Sequence, residues 1–114
     1  MKESTSKPLC KACDVSDTGT EVMIHALDGA WFAMLFKRND HILAYRNACP
    51  HQGRNLNWAP DRFLFSDEGQ LVCAHHGACF DLATGECTQG PCKGHRLEPV
   101  PVSVRDGEVW LTPV

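Results

Sequence analysis

Two short stretches of sequence decide the fold and the chemistry of this chain: Cys49-Pro50-His51 and, after 21 intervening residues, Cys73-Ala74-His75-His76-Gly77. Each stretch places a thiol and an imidazole close together on a short segment. Two such segments folded against each other would present two sulfurs and two ring nitrogens to one metal centre. Thiolate and imidazole suit zinc or iron–sulfur centres and not the hard cations Ca²⁺ and Mg²⁺. The sequence therefore predicts a Cys₂His₂ metal site built from two loops.

The distribution of Cys and His between the two stretches indicates which metal is bound. Structural zinc sites usually pair Cys with Cys and His with His at short spacing. Here each stretch mixes the two ligand types, which suits a centre whose two irons differ. In a Rieske 2Fe–2S cluster, one iron takes two Cys and the other takes two His. A Cys₂His₂ zinc module remains the less favoured alternative.

The two stretches and the residues that follow them resemble the Rieske 2Fe–2S ferredoxin family of the soluble, non-respiratory type. The resemblance extends over about residues 9–111. It also includes the small Rieske-type subunits of assimilatory nitrite reductases and the Rieske domains of ring-hydroxylating oxygenases. The residues that carry it are Cys49-Pro50-His51-Gln52-Gly53, residues 73–81, Thr84-Gly85-Glu86 and Gly90-Pro91.

This resemblance implies a cofactor, its ligands and a fold. One 2Fe–2S cluster per chain is expected, with Cys49 and Cys73 on one iron and two histidines on the other. Those histidines are His51 and His76. Gly90-Pro91 matches a third, proline-bearing loop that shields the cluster in this family. The implied fold is all-β: a Rieske-type antiparallel β-sandwich with a small, loop-rich cluster-binding subdomain inserted.

Two features of the stretches leave questions open. His75 competes with His76 as a ligand, but the Cys-x-x-His spacing and the glycine that follows favour His76. The gap between the stretches is several residues longer than usual in the family, and the extra length falls in residues 57–63. A loop insertion costs little in closure entropy. We therefore expect the ligands to be unaffected and the surface near the cluster to differ.

Outside these stretches the pattern is that of short antiparallel strands. Apolar runs are separated by turn-forming pairs such as Asp28-Gly29 and Asp106-Gly107, which indicate hairpins because glycine accepts a positive φ at no cost. The runs are residues 21–27, 31–37, 41–48, 100–105 and 108–112. The predicted organisation is a disordered tail over residues 1–8 and one Rieske domain over residues 9–114. Its cluster-binding insert occupies about residues 47–95.

The composition excludes several classes of protein. With 11 Lys+Arg against 14 Asp+Glu in 114 residues, the formal charge of −3 gives no electrostatic case for nucleic acid or an anionic membrane. No apolar run approaches the roughly 18 residues of a spanning helix. The charged N-terminus is not followed by the apolar stretch of a signal peptide. Seven cysteines without a secretion signal favour metal ligation over disulfides. We therefore expect a cytoplasmic protein.

The expected role of a Rieske cluster is electron transfer and not catalysis, because the cluster gains one electron at a time. Two thiolates cancel the charge of the oxidised 2Fe–2S core, so an electron enters more easily than in a four-cysteine cluster. Hydroxyl groups that hydrogen-bond to the cluster sulfurs raise the potential further. The positions that supply them in respiratory Rieske proteins hold Ala78 and Phe80 here. The sequence thus predicts a low potential, about −150 mV or slightly above.

The leading hypothesis is a one-electron carrier that takes electrons from a reductase and passes them to a terminal oxygenase or a similar enzyme. Partners are expected to dock over the tip that carries His51, His76 and Pro91. Trp58, in the longer loop, could contribute to that surface. The alternative is a small Rieske-type subunit of a larger oxidoreductase, such as assimilatory nitrite reductase.

Five of the seven cysteines lie outside the predicted ligand set. Cys10 and Cys13 have the Cys-x-x-Cys spacing of a redox pair or half a zinc site. No matching second pair follows, so packing is the favoured interpretation. Cys87 and Cys92 flank the third loop. A disulfide between them would stiffen it, although a reducing compartment argues against one. Cys79 is expected to pack beneath the cluster.

Overall fold

The computed structural model describes residues 8–26, 29–39, 41–50, 55–74, 77–90 and 92–112. Within these residues the chain forms ten β-strands and one 3₁₀-helix, and no helix among them is long and apolar enough to cross a membrane. The elements are β1 (Cys10–Lys11), the 3₁₀-helix (Ala12–Asp14), β2 (Thr20–Ala26), β3 (Gly29–Arg38), β4 (His41–Arg46), β5 (Leu64–Phe65), β6 (Leu71–Val72), β7 (Cys79–Phe80), β8 (Cys87–Gln89), β9 (Val102–Arg105) and β10 (Glu108–Leu111). The predicted tail over residues 1–8 lies outside the described residues, apart from Pro8.

Strands β2, β3 and β4 form an antiparallel meander, as the sequence predicts. The register of β2 against β3 runs from Thr20 opposite Leu35 to Ala26 opposite Gly29. After β3 the chain turns through Asn39, whose φ of 54° is a left-handed conformation that asparagine tolerates better than most residues.

Strands β9 and β10 form a second hairpin, and β1 pairs with the other edge of β10. The turn of this hairpin is Asp106-Gly107, with φ angles of 53° and 76°. Positive φ at both central residues is the signature of a type I′ hairpin turn, so the predicted turn is confirmed. Cys10 of β1 is half-buried and packs on the apolar side chains of this region, in agreement with a packing role.

Buried side chains form two cores. The sandwich core contains residues of the β2-β3-β4 and β1-β10-β9 sheets and of the segments next to them: Val15, Ile24, Ala33, Leu35, Ala44, Val100, Val109 and Leu111. The insert core combines β3 and β4 with the segment between the two halves of the sandwich. It contains Met34, Phe36, Tyr45, Cys49, Leu56, Leu71, Cys73, Ala78, Phe80, Leu82, Cys87, Cys92 and Leu97.

Strand β3 belongs to both cores. Four consecutive residues of this strand, Ala33 to Phe36, are each 0% exposed. Successive side chains of a strand point to opposite faces. Ala33 and Leu35 accordingly enter the sandwich core, whereas Met34 and Phe36 enter the insert core. The alternation of apolar residues over 31–37 predicts a strand that is buried on one face only. That prediction is wrong, because the insert covers the other face as well.

The insert contains a four-stranded antiparallel sheet in the order β5-β6-β7-β8, with strands of only two or three residues. The predicted loop-rich insert is thus ordered around a small sheet. Tyr45 of β4 fastens it to the meander, because its hydroxyl donates to the carbonyl of Leu82 at 2.7 Å. The Tyr45 ring lies so close to Gly85 that a Cβ there would approach it to 2.9 Å, and Gly85 has a φ of +78°. Glycine is therefore required at this contact.

Candidate metal centre

Two of the four predicted ligands lie in the described part of the chain, and both are buried. Cys49 follows β4 by three residues and Cys73 directly follows β6. Each is 1% exposed and belongs to the insert core. His51 and His76 lie outside the described residues, as does Pro91. The structure therefore brings both predicted sulfur ligands into one buried core.

Two backbone hydrogen bonds hold the loop after Cys73 closed. The N–H of Cys73 donates to the carbonyl of Ala78 at 2.8 Å, and the N–H of Gly77 donates to the carbonyl of Cys73 at 2.9 Å. Gly77 has a φ of 72°, a conformation that glycine adopts without steric cost. The glycine that ends the Cys-x-x-His-Gly stretch thus closes the loop that carries the predicted ligands.

Hydrogen bonds also connect the two cysteine-bearing segments. The N–H of Ala74 donates to the carbonyl of Leu56 at 3.0 Å. The N–H of Leu56 in turn donates to Oδ1 of Asn47 at 2.8 Å. Because Asn47 precedes Cys49 by two residues and Ala74 directly follows Cys73, this path through Leu56 fixes the two segments relative to each other.

A buried polar network surrounds this connection. The Asn47 and Asn57 side chains are 3% and 8% exposed. Nδ2 of Asn47 donates to Oδ1 of Asn57 and to Oε2 of Glu21, both at 2.9 Å. Nδ2 of Asn57 donates to the other Glu21 oxygen at 3.3 Å and to the carbonyl of Ala59 at 2.9 Å. Glu21 of β2 thus anchors the loop that follows the first cysteine. Sequence reasoning missed this network, since its partners are 26 and 36 positions apart in the chain.

The longer loop over residues 57–63 contains an ordered turn. The N–H of Arg62 donates to the carbonyl of Ala59 at 2.9 Å, and the N–H of Trp58 donates to the carbonyl of Arg62 at 3.1 Å. Asp61, at the corner with a φ of 60°, accepts a hydrogen bond from the N–H of Glu21 at 2.7 Å. The turn leaves the Trp58 side chain 60% exposed. The extra length thus presents an aromatic ring on a fixed loop.

Two further cysteines lie in the same buried core as the predicted ligand Cys49. Cys87 and Cys92 are 2% and 0% exposed, and both are free thiols. The Cys92 thiol donates to the Cys87 sulfur across 3.1 Å. Burial, followed by hydrogen bonding to Cys87, raises the pKa of the Cys92 thiol, so the thiol is protonated at neutral pH. Sequence reasoning considered a disulfide for this pair and otherwise assigned both cysteines to packing.

Gly90 brings the third loop directly against the Cys73 loop. A Cβ at Gly90 would lie 2.8 Å from the Cα of Ala78, and the φ of Gly90 is +102°. Ala78 and Phe80 are both fully buried in the insert core. Neither side chain carries a hydrogen-bond donor, so these two positions cannot supply the hydroxyl bonds that raise a cluster potential.

The Cys10–Cys13 pair lies apart from the insert core. Cys13 is exposed. Burial, followed by the charges of Asp14 and Cys13, raises the pKa of the Cys10 thiol. A raised pKa opposes the thiolate that a redox pair or a zinc site needs. Among the residues described, no group of three or more His, Cys, Asp or Glu side chains is arranged to hold a metal ion.

Comparison of the chain with known proteins matches it to one protein family. The family model of the Rieske [2Fe-2S] domain matches residues 5–104. Oxidoreductase NdmD from Pseudomonas putida is 31% identical over 77 residues, which is 60% of this chain but only 12% of the length of that protein.

The solved structures that share the fold of the chain include a dioxygenase ferredoxin and a protein described as a nitrite reductase subunit. The ferredoxin of carbazole 1,9a-dioxygenase from Nocardioides aromaticivorans IC177 superposes with a TM-score of 0.74 at 25% identity, covering 97% of this chain and 100% of the ferredoxin. A protein described as a nitrite reductase (NADPH) small subunit superposes with a TM-score of 0.66 at 20% identity, covering 93% and 96% of the two chains. The second likeness is one of fold alone.

Proposed function

We propose, since the chain belongs to the Rieske [2Fe-2S] domain family, that it carries single electrons through one 2Fe–2S cluster. Cys49 and Cys73 would bind one iron, and His51 and His76 the other. The observation that supports this assignment most directly is the burial of both cysteines in one apolar core, on segments joined by hydrogen bonds. Two soft sulfur donors shielded from water fit such a cluster.

The chain would tune the cluster by charge and by the absence of hydroxyl donors. Two thiolates and two neutral imidazoles leave the oxidised centre uncharged, which favours uptake of one electron over that in a four-cysteine cluster. Ala78 and Phe80 offer no hydrogen bond to the sulfurs, so the potential would lie at the low end of the Rieske range. Uptake of a single electron makes the chain a carrier and not a catalyst.

The proposed direction of transfer is from a reductase to a terminal oxygenase or a similar enzyme. Similarity over the whole length of a dioxygenase ferredoxin supports this role. The alternative, a small subunit of a larger oxidoreductase such as nitrite reductase, has the shared fold as its support. A pull-down from native extract separates the two: a fixed stoichiometric complex supports the subunit, and transient binding supports the carrier.

Partners would dock over a surface formed by His51, His76 and Pro91, and the exposed Trp58 of the longer loop would contribute to it. Large aromatic side chains often dominate interface energies. The turn that holds Trp58 is already ordered, so little loop entropy is lost on docking. Trp58→Ala should slow electron transfer to the oxygenase at least several-fold and leave the cluster spectrum unchanged. Val104→Ala, at a 51% exposed apolar residue of β9, is the matched control. Equal rates for Trp58→Ala and wild type would remove Trp58 from the docking surface.

The ligand assignment is tested by substitution at matched cysteines. Aerobically purified wild type should show the visible absorption of a 2Fe–2S cluster and contain iron and acid-labile sulfide in equal amounts. Cys49→Ser and Cys73→Ser should lose both, and so should His51→Ala and His76→Ala. Cys79→Ser, at a half-buried cysteine outside the predicted set, should keep both. A colourless wild type loaded with zinc would contradict the proposal.

A redox titration tests the proposed type of cluster. We expect a midpoint near the low end of the range, about −150 mV or slightly above. A midpoint above about +100 mV would contradict the low-potential assignment without affecting the ligands.

A further inference from the structure

The insert core contains a hydrogen-bonded pair of thiols that the electron-carrier role does not use. Cys87 and Cys92 are 2% and 0% exposed, and their sulfurs are 3.1 Å apart. Both residues are free thiols in the structure. The S–S bond of a disulfide is about 2.05 Å long, so an approach of about 1 Å would join the two sulfurs.

Backbone hydrogen bonds hold the two cysteines close to each other. The N–H of Cys87 donates to the carbonyl of His95 at 2.8 Å, and the N–H of Gly94 donates to the carbonyl of Cys87 at 3.4 Å. The N–H of His95 donates to the carbonyl of Cys92 at 2.9 Å. The turn that carries Cys92 is thus fixed on β8, and the backbone itself keeps the two sulfurs within reach of each other.

The directions of the two S–H groups also favour a reaction between the sulfurs. The Cys87 thiol donates to the carbonyl of Gln89 at 3.2 Å, so its hydrogen does not lie between the two sulfurs. The Cys92 thiol donates to the Cys87 sulfur. The Cys-x-x-Cys pair of the sequence is arranged differently, because Cys10 packs on the sandwich core whereas Cys13 is exposed.

The buried pair is flanked in the chain by an exposed turn. Gly90, Lys93 and Gly94 are all exposed. The turn is held by hydrogen bonds of 3.2 Å, from the N–H of Lys93 to the carbonyl of Gly90, and 3.4 Å, from Gly94 to Cys87. Thiol oxidation depends on exposure, so the pair stays reduced while the turn is closed. Opening of this turn would admit a small oxidant.

We infer that Cys87 and Cys92 are a redox-sensitive pair that hydrogen peroxide converts to a disulfide, which locks the third loop. Peroxide first oxidises one thiol to a sulfenic acid, and one water leaves. The second thiol then attacks the sulfenic sulfur, the S–S bond forms, and a second water leaves. Two electrons pass from the sulfurs to the peroxide, and both thiol protons end in water. Two molecules of a small thiol reverse the step and become a disulfide themselves.

The disulfide would act on the loop that lies against the Cys73 loop. It closes a ring over residues 87–92, which includes Gly90. A Cβ at Gly90 would lie 2.8 Å from the Cα of Ala78, so the two backbones are in close contact here. A cross-link removes conformational freedom from open and unfolded forms and thereby favours the closed one. Oxidation should therefore restrict the opening of the third loop.

The chemical test uses the purified protein with Cys13→Ser, which removes an exposed thiol that would join two molecules. After treatment with hydrogen peroxide, the protein is denatured, alkylated and digested. Cys87 and Cys92 should carry no alkyl group, and their peptide should be lighter by the two thiol hydrogens until dithiothreitol restores it. Cys79→Ser, at a half-buried cysteine outside the pair, should form the same disulfide, whereas Cys87→Ser should not.

Amide hydrogen exchange measures the lock. The N–H groups of Lys93 and Gly94 donate within the turn, so their exchange reports its opening. Exchange at both amides should slow at least several-fold on oxidation and recover on reduction. Peroxide-treated Cys87→Ser is the matched control, and its exchange at these amides should not change.

Several outcomes would overturn the inference. Full alkylation of Cys87 and Cys92 after peroxide would do so, as would sulfinic acids in place of the disulfide. Unchanged exchange at Lys93 and Gly94 in the oxidised protein would likewise overturn it. Both measurements can be made without a variant of the pair, so the test holds if Cys87→Ser fails to fold, and Cys92→Ser then serves as the control.

The redox-sensitive pair does not depend on the cluster. A colourless wild type that still forms the disulfide would refute the proposed electron-carrier function and support the pair. A cluster-bearing protein whose Cys87 and Cys92 stay reduced in peroxide would overturn the pair alone.

Discussion

The sandwich core is aliphatic and is enclosed by a meander of strands six to ten residues long, whereas the insert core holds four cysteines among strands of two or three residues. In the sandwich, continuous backbone pairing fixes the register and satisfies the polar groups of the chain. In the insert, individual side-chain hydrogen bonds hold the segments in place, such as the bond from the Tyr45 hydroxyl to the carbonyl of Leu82 and the bond from the N–H of Leu56 to the Asn47 side chain. The sandwich is therefore organised mainly by backbone pairing, whereas the insert depends more on specific side chains.

The largest effects are expected from two neighbouring residues of β3 that face opposite cores. Leu35→Ala should destabilise the protein by about 2–5 kcal/mol, and Phe36→Ala by about 3–5 kcal/mol. The Phe36 ring packs edge-on against Phe63 and Phe65, with ring centroids 5.4 and 6.1 Å away. Removal of the ring therefore leaves a cavity between β3 and the insert. Urea denaturation followed by circular dichroism gives both free energies of unfolding.

Hydrogen exchange on the same pair sharpens the comparison between the cores. Phe36→Ala should accelerate exchange in the insert before the β9–β10 hairpin responds, because that hairpin does not contribute to the insert core. Leu35→Ala should accelerate exchange in both regions, since the insert is built on the meander. Uniform acceleration by Phe36→Ala would show that the two cores unfold as one unit.

A smaller effect is expected from the buried amide that joins the cysteine-bearing segments. Asn47→Ala leaves the N–H of Leu56 and an oxygen of Glu21 without their partners, which costs about 1–3 kcal/mol. Iron release on heating should be faster as well, because the two loops lose their connection. Asn55→Ala, at an exposed residue of the same segment, provides the control. Identical iron release in the two variants would contradict the role of the network.

Alanine substitutions at two glycines of the third-loop region can distinguish the cost of a strained backbone conformation from the cost of a steric clash. Gly90 and Gly94 have similar φ angles of +102° and +94°, but only a Cβ at Gly90 would meet another atom, the Cα of Ala78. Alanine at either position should cost about 1 kcal/mol or more through its backbone conformation. Gly90→Ala should in addition displace the loop and shift the cluster spectrum. A spectral shift in Gly94→Ala of the same size would refute the close approach as its cause.

The smallest effect is expected in the pH dependence of stability, through Tyr45, which connects the meander to the insert. Burial raises the pKa of Tyr45, with the charge of Asp81 adding to the effect. The folded state therefore holds the phenol proton more tightly than the unfolded chain. Stability is unaffected below the unfolded pKa of about 10 and falls as the pH rises above it. Tyr45→Phe should lose this alkaline decline, along with part of its stability at neutral pH from the missing bond to Leu82.

The titration itself can be observed directly. Tyr45 is the single tyrosine of the sequence, so the ultraviolet absorbance of tyrosinate reports it alone. An ordinary tyrosine titration in the folded protein would contradict the expected pKa and the pH dependence built on it.

The sequence predicted the sandwich well because its signals are local. Alternating apolar runs and the Asp106-Gly107 pair define strands and a turn within a few residues. The predicted limits of β2, β4 and β10 differ from the observed ones by at most two residues. The family, the all-β fold and the 2Fe–2S cofactor were likewise predicted, from the Cys-x-His and Cys-x-x-His stretches, and are confirmed.

The insert was predicted poorly because its order is not local. Strands of two residues, such as β6 and β7, are too short to show any periodicity. The bonds from Asn47 and Asn57 to Glu21 span tens of positions, and nothing in the sequence marks an asparagine as buried. Cys92 was assigned to packing or to a disulfide, since the sequence does not reveal that its thiol donates to Cys87 inside the insert core. The assignment of His51 and His76 stays a prediction.

The alternation of side chains along β3 has a consequence for redesign of the molecule. In the buried part of the strand, odd-numbered residues such as Leu35 contact the sandwich core, and even-numbered residues such as Phe36 contact the insert core. Substitutions on one face of the strand therefore change one core directly and not the other. An engineer who wants a different cluster environment can change the even positions and the loops above them while leaving the odd ones untouched. The same partition would let the insert diverge during evolution on a scaffold that stays constant.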